Sequence, residues 1–255
     1  MKGNYSYSQF VDGYLHIMAR QEIKAQGKES FGFDLTPELV SAKYALIDKH
    51  ITDENSKNKM HFRGLMSYLA QVGPDGIDEL MEKFNASTDN EKQKKQLQSA
   101  YEMATRLAKG NAAPDFSYPD LEGTNMSLEN FKGRYVYIDL WATWCGPCLV
   151  ELPHLEALQE EYKNNRNIAF VSISIDSNKD AWRKMVTEKE MKGFQLIADN
   201  AWQSQIIKDY GVNGIPRFVL IDREGKIINK SAPRPSSDDL KATLHNLLSE
   251  DRSSK

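Results

Sequence analysis

The sequence predicts an all-α domain followed by an α/β domain, and three observations carry that division. Up to about Gly110 the apolar residues recur at helical spacing. Beyond Gly110-Asn111-Ala112-Ala113-Pro114, apolar runs of strand length alternate with helical stripes. A Cys-X-X-Cys pair stands where one of those runs meets a helix start. At 255 residues, 40% of them apolar, the chain has enough material for two cores, and the expected domains are 1–110 and 111–255.

An aromatic-rich stretch from Tyr5 to Met18 opens the helical part with no evident partner. Thr36-Pro37-Glu38 then supplies a cap, a first-turn proline and an acid ahead of Val40, Tyr44, Ile47 and Ile51, the stripe of an amphipathic helix. Phe62, Leu65, Leu69 and Val72 make a second stripe, halted by Gly73-Pro74-Asp75-Gly76, and Ile77, Leu80, Met81 and Phe84 a third. The fourth helix is expected to start at Thr88 with Glu91 completing a capping box, to carry Leu97, Tyr101, Ala104 and Leu107, and to stop at Gly110. These helices predict a small bundle.

In the α/β part, Phe116 to Leu121 and Thr124 to Met126 flank Glu122-Gly123 as a hairpin, and Tyr135 to Leu140 and Ile168 to Ile175 read as buried strands. Leu149, Leu152, Leu155, Leu158 and Tyr162 stripe one helix, and Trp182, Met185 and Val186 another. Phe218 to Ile221 and Lys226 to Asn229 form a second hairpin around Asp222-Arg223-Glu224-Gly225. A last helix spans about Ser237 to Leu248, and the polar end Ser253-Ser254-Lys255 is expected to fray.

The net charge of −3, with both signs interleaved, gives no field strong enough to suggest a nucleic-acid or bilayer surface as the main partner, and a protein or small molecule fits better. No apolar run approaches the ~20 residues that span a bilayer. Met1 to Ala19 mixes Lys2, Asn4, Asp12 and His16 among its aromatics, unlike a secretory signal. Composition leaves the compartment open.

The chain has two cysteines, both in Trp141-Ala142-Thr143-Trp144-Cys145-Gly146-Pro147-Cys148. Two cysteines at this spacing can close a small disulfide ring, and the start of a helix places the first thiol among unpaired N–H groups that favour an anion. A redox-active dithiol is the natural reading. The competing one is half a zinc site with His154 as third ligand, for which no fourth ligand is apparent. His16, His50, His61 and His245 show no partner spacing.

The segment Trp141 to Cys148, its preceding strand and the later Gly214-Ile215-Pro216 together resemble the thioredoxin superfamily. The hairpin ahead of the first core strand, Trp-Cys-Gly-Pro-Cys, Glu151 and Pro153 after it, and the long Ile175 to Phe194 connection are similar to the TlpA/ResA-like thiol–disulfide oxidoreductases of bacterial envelopes. The resemblance covers about residues 111–248 and leaves the helical domain unexplained. It implies a thioredoxin-like fold, a central mixed sheet flanked by helices behind an N-terminal hairpin.

It also implies roles. Cys145 would be the exposed nucleophile and Cys148 the resolving thiol, while Gly146-Pro147 resembles the dipeptide of the reducing members. Asp139 matches the buried acid of thioredoxin and Glu151 the acid of the ResA-like branch, and either can manage the proton of the resolving thiol; the alternative for Glu151 is an ordinary first-turn acid. Ile215-Pro216 occupies the place of a cis proline facing the dithiol, with the Ile215 backbone pairing an extended substrate. Arg217 departs from the threonine common after that proline. Trp144, Gly146, Pro147, Ile215 and Pro216 form the expected substrate surface, although core packing is the simpler reading for both Trp141 and Trp144.

The expected partners are disulfide-containing proteins and an upstream thiol donor, soluble or membrane-bound, with no nucleic acid, no metal and no organic cofactor beyond the Cys145-Cys148 disulfide. The expected location is the cell envelope or periplasm, with the cytoplasm as the alternative. Two other functions compete: a redox sensor or adaptor whose helical domain binds a partner, and a peroxidase, which would need a threonine and arginine around a lone cysteine that Thr143 does not reproduce.

Overall fold

The structure is a computed structural model that describes residues 4–27 and 35–253. The chain divides into two compact units, Met1–Arg106 and Leu107–Lys255. The side chains of Tyr5 and Tyr7 and the terminal Ser254 and Lys255 lie outside the described residues.

In the first unit α1 (Asn4–Ala25) is followed by α2 (Pro37–His50), α3 (Glu54–Gln71), α4 (Asp78–Ser87) and α5 (Glu91–Arg106). The Thr36 hydroxyl accepts from the Leu39 amide at 3.2 Å and Pro37 fills the first turn, so α2 begins where its cap signal stands. Because α2 buries two faces, it serves two cores. Leu39, Leu46 and Ile47 meet Leu15, Ala19 and Ile23 of α1, while Val40 and Tyr44 join Leu65, Leu69, Leu80, Phe84, Leu97 and Ala104 of the later helices. The partners of the N-terminal stretch are thus aliphatic side chains, with Phe10 and Tyr14 exposed.

Two boundaries differ from expectation. Thr88 is the extended residue that ends α4, so the cap of α5 falls to Asn90, whose side chain accepts from the Gln93 amide at 3.1 Å. The linker is also not free. Gly110 N–H donates to Ile227 O at 2.8 Å, Ile227 N–H to Asn111 O at 2.8 Å and Ala113 N–H to Gly225 O at 2.9 Å. Its backbone groups complete an open strand edge, which draws the boundary back to Arg106.

In the second unit β1 (Ser117–Pro119) and β2 (Asn125–Ser127) form the expected hairpin as a separate two-stranded sheet. Then follow β3 (Tyr135–Trp141), α6 (Gly146–Glu161), β4 (Ile168–Ser174), α7 (Lys179–Glu188), β5 (Phe194–Ile197), α8 (Gln205–Asp209), β6 (Arg217–Ile221), β7 (Ile227–Asn229) and α9 (Asp238–Ser253). The main sheet runs β5-β4-β3-β6-β7, with β3 parallel to β4 and antiparallel to β6, which is the mixed sheet the resemblance implies. The short strand β5, with α8, is the part the hydrophobic pattern did not announce.

Tyr137 packs with Leu155 and Leu158 of α6 and Leu240 and Leu244 of α9, so α6 and α9 cover one face of the sheet. Side chains alternate along a strand, and Asp139 and Trp141 therefore share the Tyr137 face beneath α6. The centre of the sheet thus delivers its C-terminal end directly to the cysteine loop.

Candidate active site

Cys145 is the N-cap of α6 and Cys148 lies in its first turn, a strand-to-helix junction like the one the motif predicts. The two are joined as a disulfide, S–S 2.01 Å, with Cα atoms 5.2 Å apart. The Cys148 amide also donates to Cys145 Sγ at 3.2 Å, and in the dithiol state the same N–H and the helix terminus would favour the Cys145 thiolate. Cys145 is 5% and Cys148 3% exposed, so the first sulfur is less open than the resemblance implies. It faces the helix N–H, and Gly146 and Pro147 are the exposed part of the loop.

Two buried carboxyls stand beneath this loop. Asp139 is pushed up to about 7, first by burial and then by the negative charge of Glu151. Glu151 has donors on both oxygens: the Ser236 amide on Oε2 at 3.0 Å, the Ser236 hydroxyl on Oε1 at 3.0 Å, and Arg234 3.7 Å from Oε1. The reading of Glu151 as an unremarkable first-turn acid is thereby corrected, since it is buried and ties α6 to the Ala232–Ser236 segment. Tyr137 donates to Pro233 O at 2.7 Å and its own ionisation is pushed far up by burial and by both acids. The role of Ser236 was not legible, because nothing in a Pro-Arg-Pro-Ser run states that it will reach α6.

A third acid, missed in the sequence, holds the loop itself. Asp176 is buried just past β4, and its carboxylate accepts from the Thr143 amide at 2.9 Å, the Thr143 hydroxyl at 2.7 Å and the Ser174 hydroxyl at 2.6 Å. The backbone adds Ile175 N–H to Trp141 O at 2.9 Å. The available signal was an acid directly after the apolar run Ile168 to Ile175. Thr143 is thus spent on loop anchoring.

The Ile215-Pro216 peptide bond is cis. Arg217 pairs across the ladder with Leu140, which sets Pro216 beside Trp141 at the end of β3 from which Cys145 emerges. Arg217 is half-buried and is held below its ordinary value by that burial, and Lys230 is pushed down to about 8 by burial and then by the charge of Arg217. The electrostatic neighbour identified for Arg217 is therefore Lys230.

The two tryptophans of the motif separate. Trp141 is fully buried, whereas Trp144 is 57% exposed, so core packing holds for the first and is corrected for the second. The reason is the turn at Thr143, which directs the chain out of the sheet between them. Trp202, not singled out in the sequence, places its ring 6.4 Å from that of Trp144. Elsewhere, His61 is a core histidine stacked on Tyr44 at 3.5 Å. Beside it the helical unit has a cavity of about 430 Å³ lined by residues such as Leu39, Ile47 and Met60, none of them an expected site residue. Among the described residues no group of three or more His, Cys, Asp or Glu could hold a metal ion, and no helix is long and apolar enough to cross a membrane.

The Redoxin family matches residues 108–246. The thiol–disulfide oxidoreductase ResA of Bacillus cereus is 31% identical over 147 residues, covering 58% of this chain and 83% of its own. Among solved structures, the thioredoxin domain of a thiol–disulfide oxidoreductase from Bacteroides vulgatus is 30% identical with a TM-score of 0.51, covering 56% of this chain and 99% of its own. A solution structure from the same organism, of a protein assigned as a thiol–disulfide oxidoreductase, is 48% identical with a TM-score of 0.50, covering 56% and 93%. With a Cys145-Cys148 disulfide at the head of α6, the chain belongs to the Redoxin family of the thioredoxin superfamily and is a TlpA/ResA-like thiol–disulfide oxidoreductase.

Proposed function

We propose that this oxidoreductase works as a reductant of disulfides in partner proteins, with Asp139 as the acid that manages the proton. In the dithiol state the Cys145 thiolate attacks one sulfur of the substrate disulfide, forming a mixed disulfide and expelling a substrate thiolate. Asp139 accepts the proton of Cys148, whose thiolate then attacks Cys145 Sγ. The Cys145-Cys148 disulfide forms, the second substrate thiol leaves, and two electrons have passed to the substrate. An upstream thiol donor, soluble or membrane-bound, returns the pair to the dithiol, and no metal or organic cofactor enters the cycle.

The observation that carries this reading is the Cys145-Cys148 disulfide at the head of α6 with the buried Asp139 beneath that helix, a carboxyl that burial and the charge of Glu151 push up to about 7 so that it can take and return a proton. Glu151, engaged by Ser236 and Arg234, acts through its charge on Asp139. Trp144, Gly146, Pro147, Ile215 and the cis Pro216 form the substrate surface, the proline leaving an edge open to an extended segment. The cell envelope is the proposed location, on the resemblance to envelope relatives.

Reduction of insulin disulfides by the full chain with dithiothreitol tests the assignment, with Cys145→Ser expected to abolish it. Activity persisting in that variant would remove Cys145 as nucleophile, and a reduction potential far above about −200 mV would make the protein an oxidant. Cys148→Ser should accumulate mixed disulfides and so name the substrates.

A further inference from the structure

Of four tryptophans in the chain, Trp141 and Trp182 are buried, and the two exposed ones, Trp144 and Trp202, are neighbours, Trp144 directly preceding Cys145 of the disulfide. Their ring centroids lie 6.4 Å apart with planes inclined by 46°, a tilted aromatic pair whose outer faces remain open to solvent. Within the second unit the described large apolar side chains left exposed are Trp144, Val150 and Trp202. Val150 stands one turn beyond the exposed Pro147 on the same face of α6, so the apolar surface of this unit gathers around the motif.

Both rings stand on fixed supports. Trp144 follows Thr143, which Asp176 holds twice. Trp202 lies in the 3-10 turn Ala201–Gln203, entered through Asn200 at φ 54° and Ala201 at φ 48°. A left-handed conformation is uncommon for alanine, and the turn is held behind Trp202 by the Ser204 amide, which donates to Ala201 O at 3.1 Å, and by the Ile206 amide, which donates to the Tyr118 hydroxyl at 3.0 Å.

We infer that the exposed faces of Trp144 and Trp202 form an apolar docking surface for substrate, selecting an extended polypeptide whose cysteine is flanked by an aromatic or large aliphatic residue. This inference rests on the reductant reading above. The occupant is a disulfide-bearing segment because any substrate sulfur reaching Cys145 must cross this surface. Its flanking residue is apolar because Trp144, Pro147, Val150 and Trp202 offer no charge. Trp202 is a specificity residue of the site.

The test compares the reduced full chain acting on two synthetic peptide disulfides, one with Phe and one with Gly beside the cysteine, and on hydroxyethyl disulfide, which has no side chain to dock. Wild type should prefer the Phe peptide. Trp202→Ala should lower the ratio of kcat/KM for the Phe peptide to that for hydroxyethyl disulfide by about tenfold, the scale of one interface aromatic. Trp202→Phe should restore most of that ratio. Equal rates on the two peptides in wild type, or a ratio unchanged in Trp202→Ala, would overturn the inference while leaving the reductant reading intact. Failure of wild type to reduce even hydroxyethyl disulfide would overturn the reductant reading instead.

Discussion

Ser236 donates to Glu151 twice, from its amide to Oε2 at 3.0 Å and from its hydroxyl to Oε1 at 3.0 Å, across a sequence separation of 85 residues. The contact satisfies a buried carboxylate and clips the Ala232–Ser236 segment to the cysteine helix. Ser236→Ala removes one charge-assisted bond and should destabilise the oxidised protein by about 2 kcal/mol. The check is the denaturant midpoint at unchanged m-value; an unshifted midpoint would mean that the hydroxyl contributes nothing.

The charge of Glu151 also reaches Asp139. It is one of the two causes that raise Asp139, and removing a like charge favours ionisation of the remaining acid. Glu151→Gln should therefore move the Asp139 titration below about 7. Carbon-detected NMR of the Asp139 carboxyl across pH 4 to 9 would show it, and an upward or absent shift would refute the coupling.

Asp139 makes stability depend on pH in an unusual direction for a carboxyl. Its folded value of about 7 lies above the unfolded value of 3.8, so between them the folded state holds a proton that the unfolded state has lost. The favourable contribution is complete below the unfolded value and is lost as pH rises to about 7. That difference corresponds to about 4 kcal/mol at most. Asp139→Asn should accordingly gain stability relative to wild type between pH 4 and pH 7 and hold a constant difference above. Parallel stability curves across that window would show that Asp139 is not raised.

Asp176 collects three donors, two of them from Thr143. Asp176→Ala strands all three in a buried site and should cost about 3 kcal/mol or more, whereas Thr143→Val, which keeps the backbone bond, should cost about 1 kcal/mol. The Asp176 variant should also raise hydrogen exchange at the amides of Thr143 to Cys145. Equal costs for the two variants would remove the loop-anchor role.

The division of the chain, the stripes of α2 to α5, the two hairpins, strands β3 and β4, and the reactive pair were all legible because each rests on local spacing. A helical repeat, a cap or a Cys-Gly-Pro-Cys turn needs no distant partner to be recognised. The errors were local signals outcompeted by nearby or remote ones: Asn90 displaced Thr88 as a cap, and the open edge of β7 drew in the supposed linker.

The sequence by itself determined that two thiols meet at a strand-to-helix junction a few residues after an acid in the apolar strand, since these residues are close neighbours along the chain. Only the tertiary structure decided how that junction is run. Ser236 and Arg234 hold Glu151, Asp176 holds Thr143, and Trp202 stands beside Trp144, each joining segments remote in sequence. Burial sets the titration of Asp139, and burial is a property of the packed sheet and helix that no run of residues carries alone.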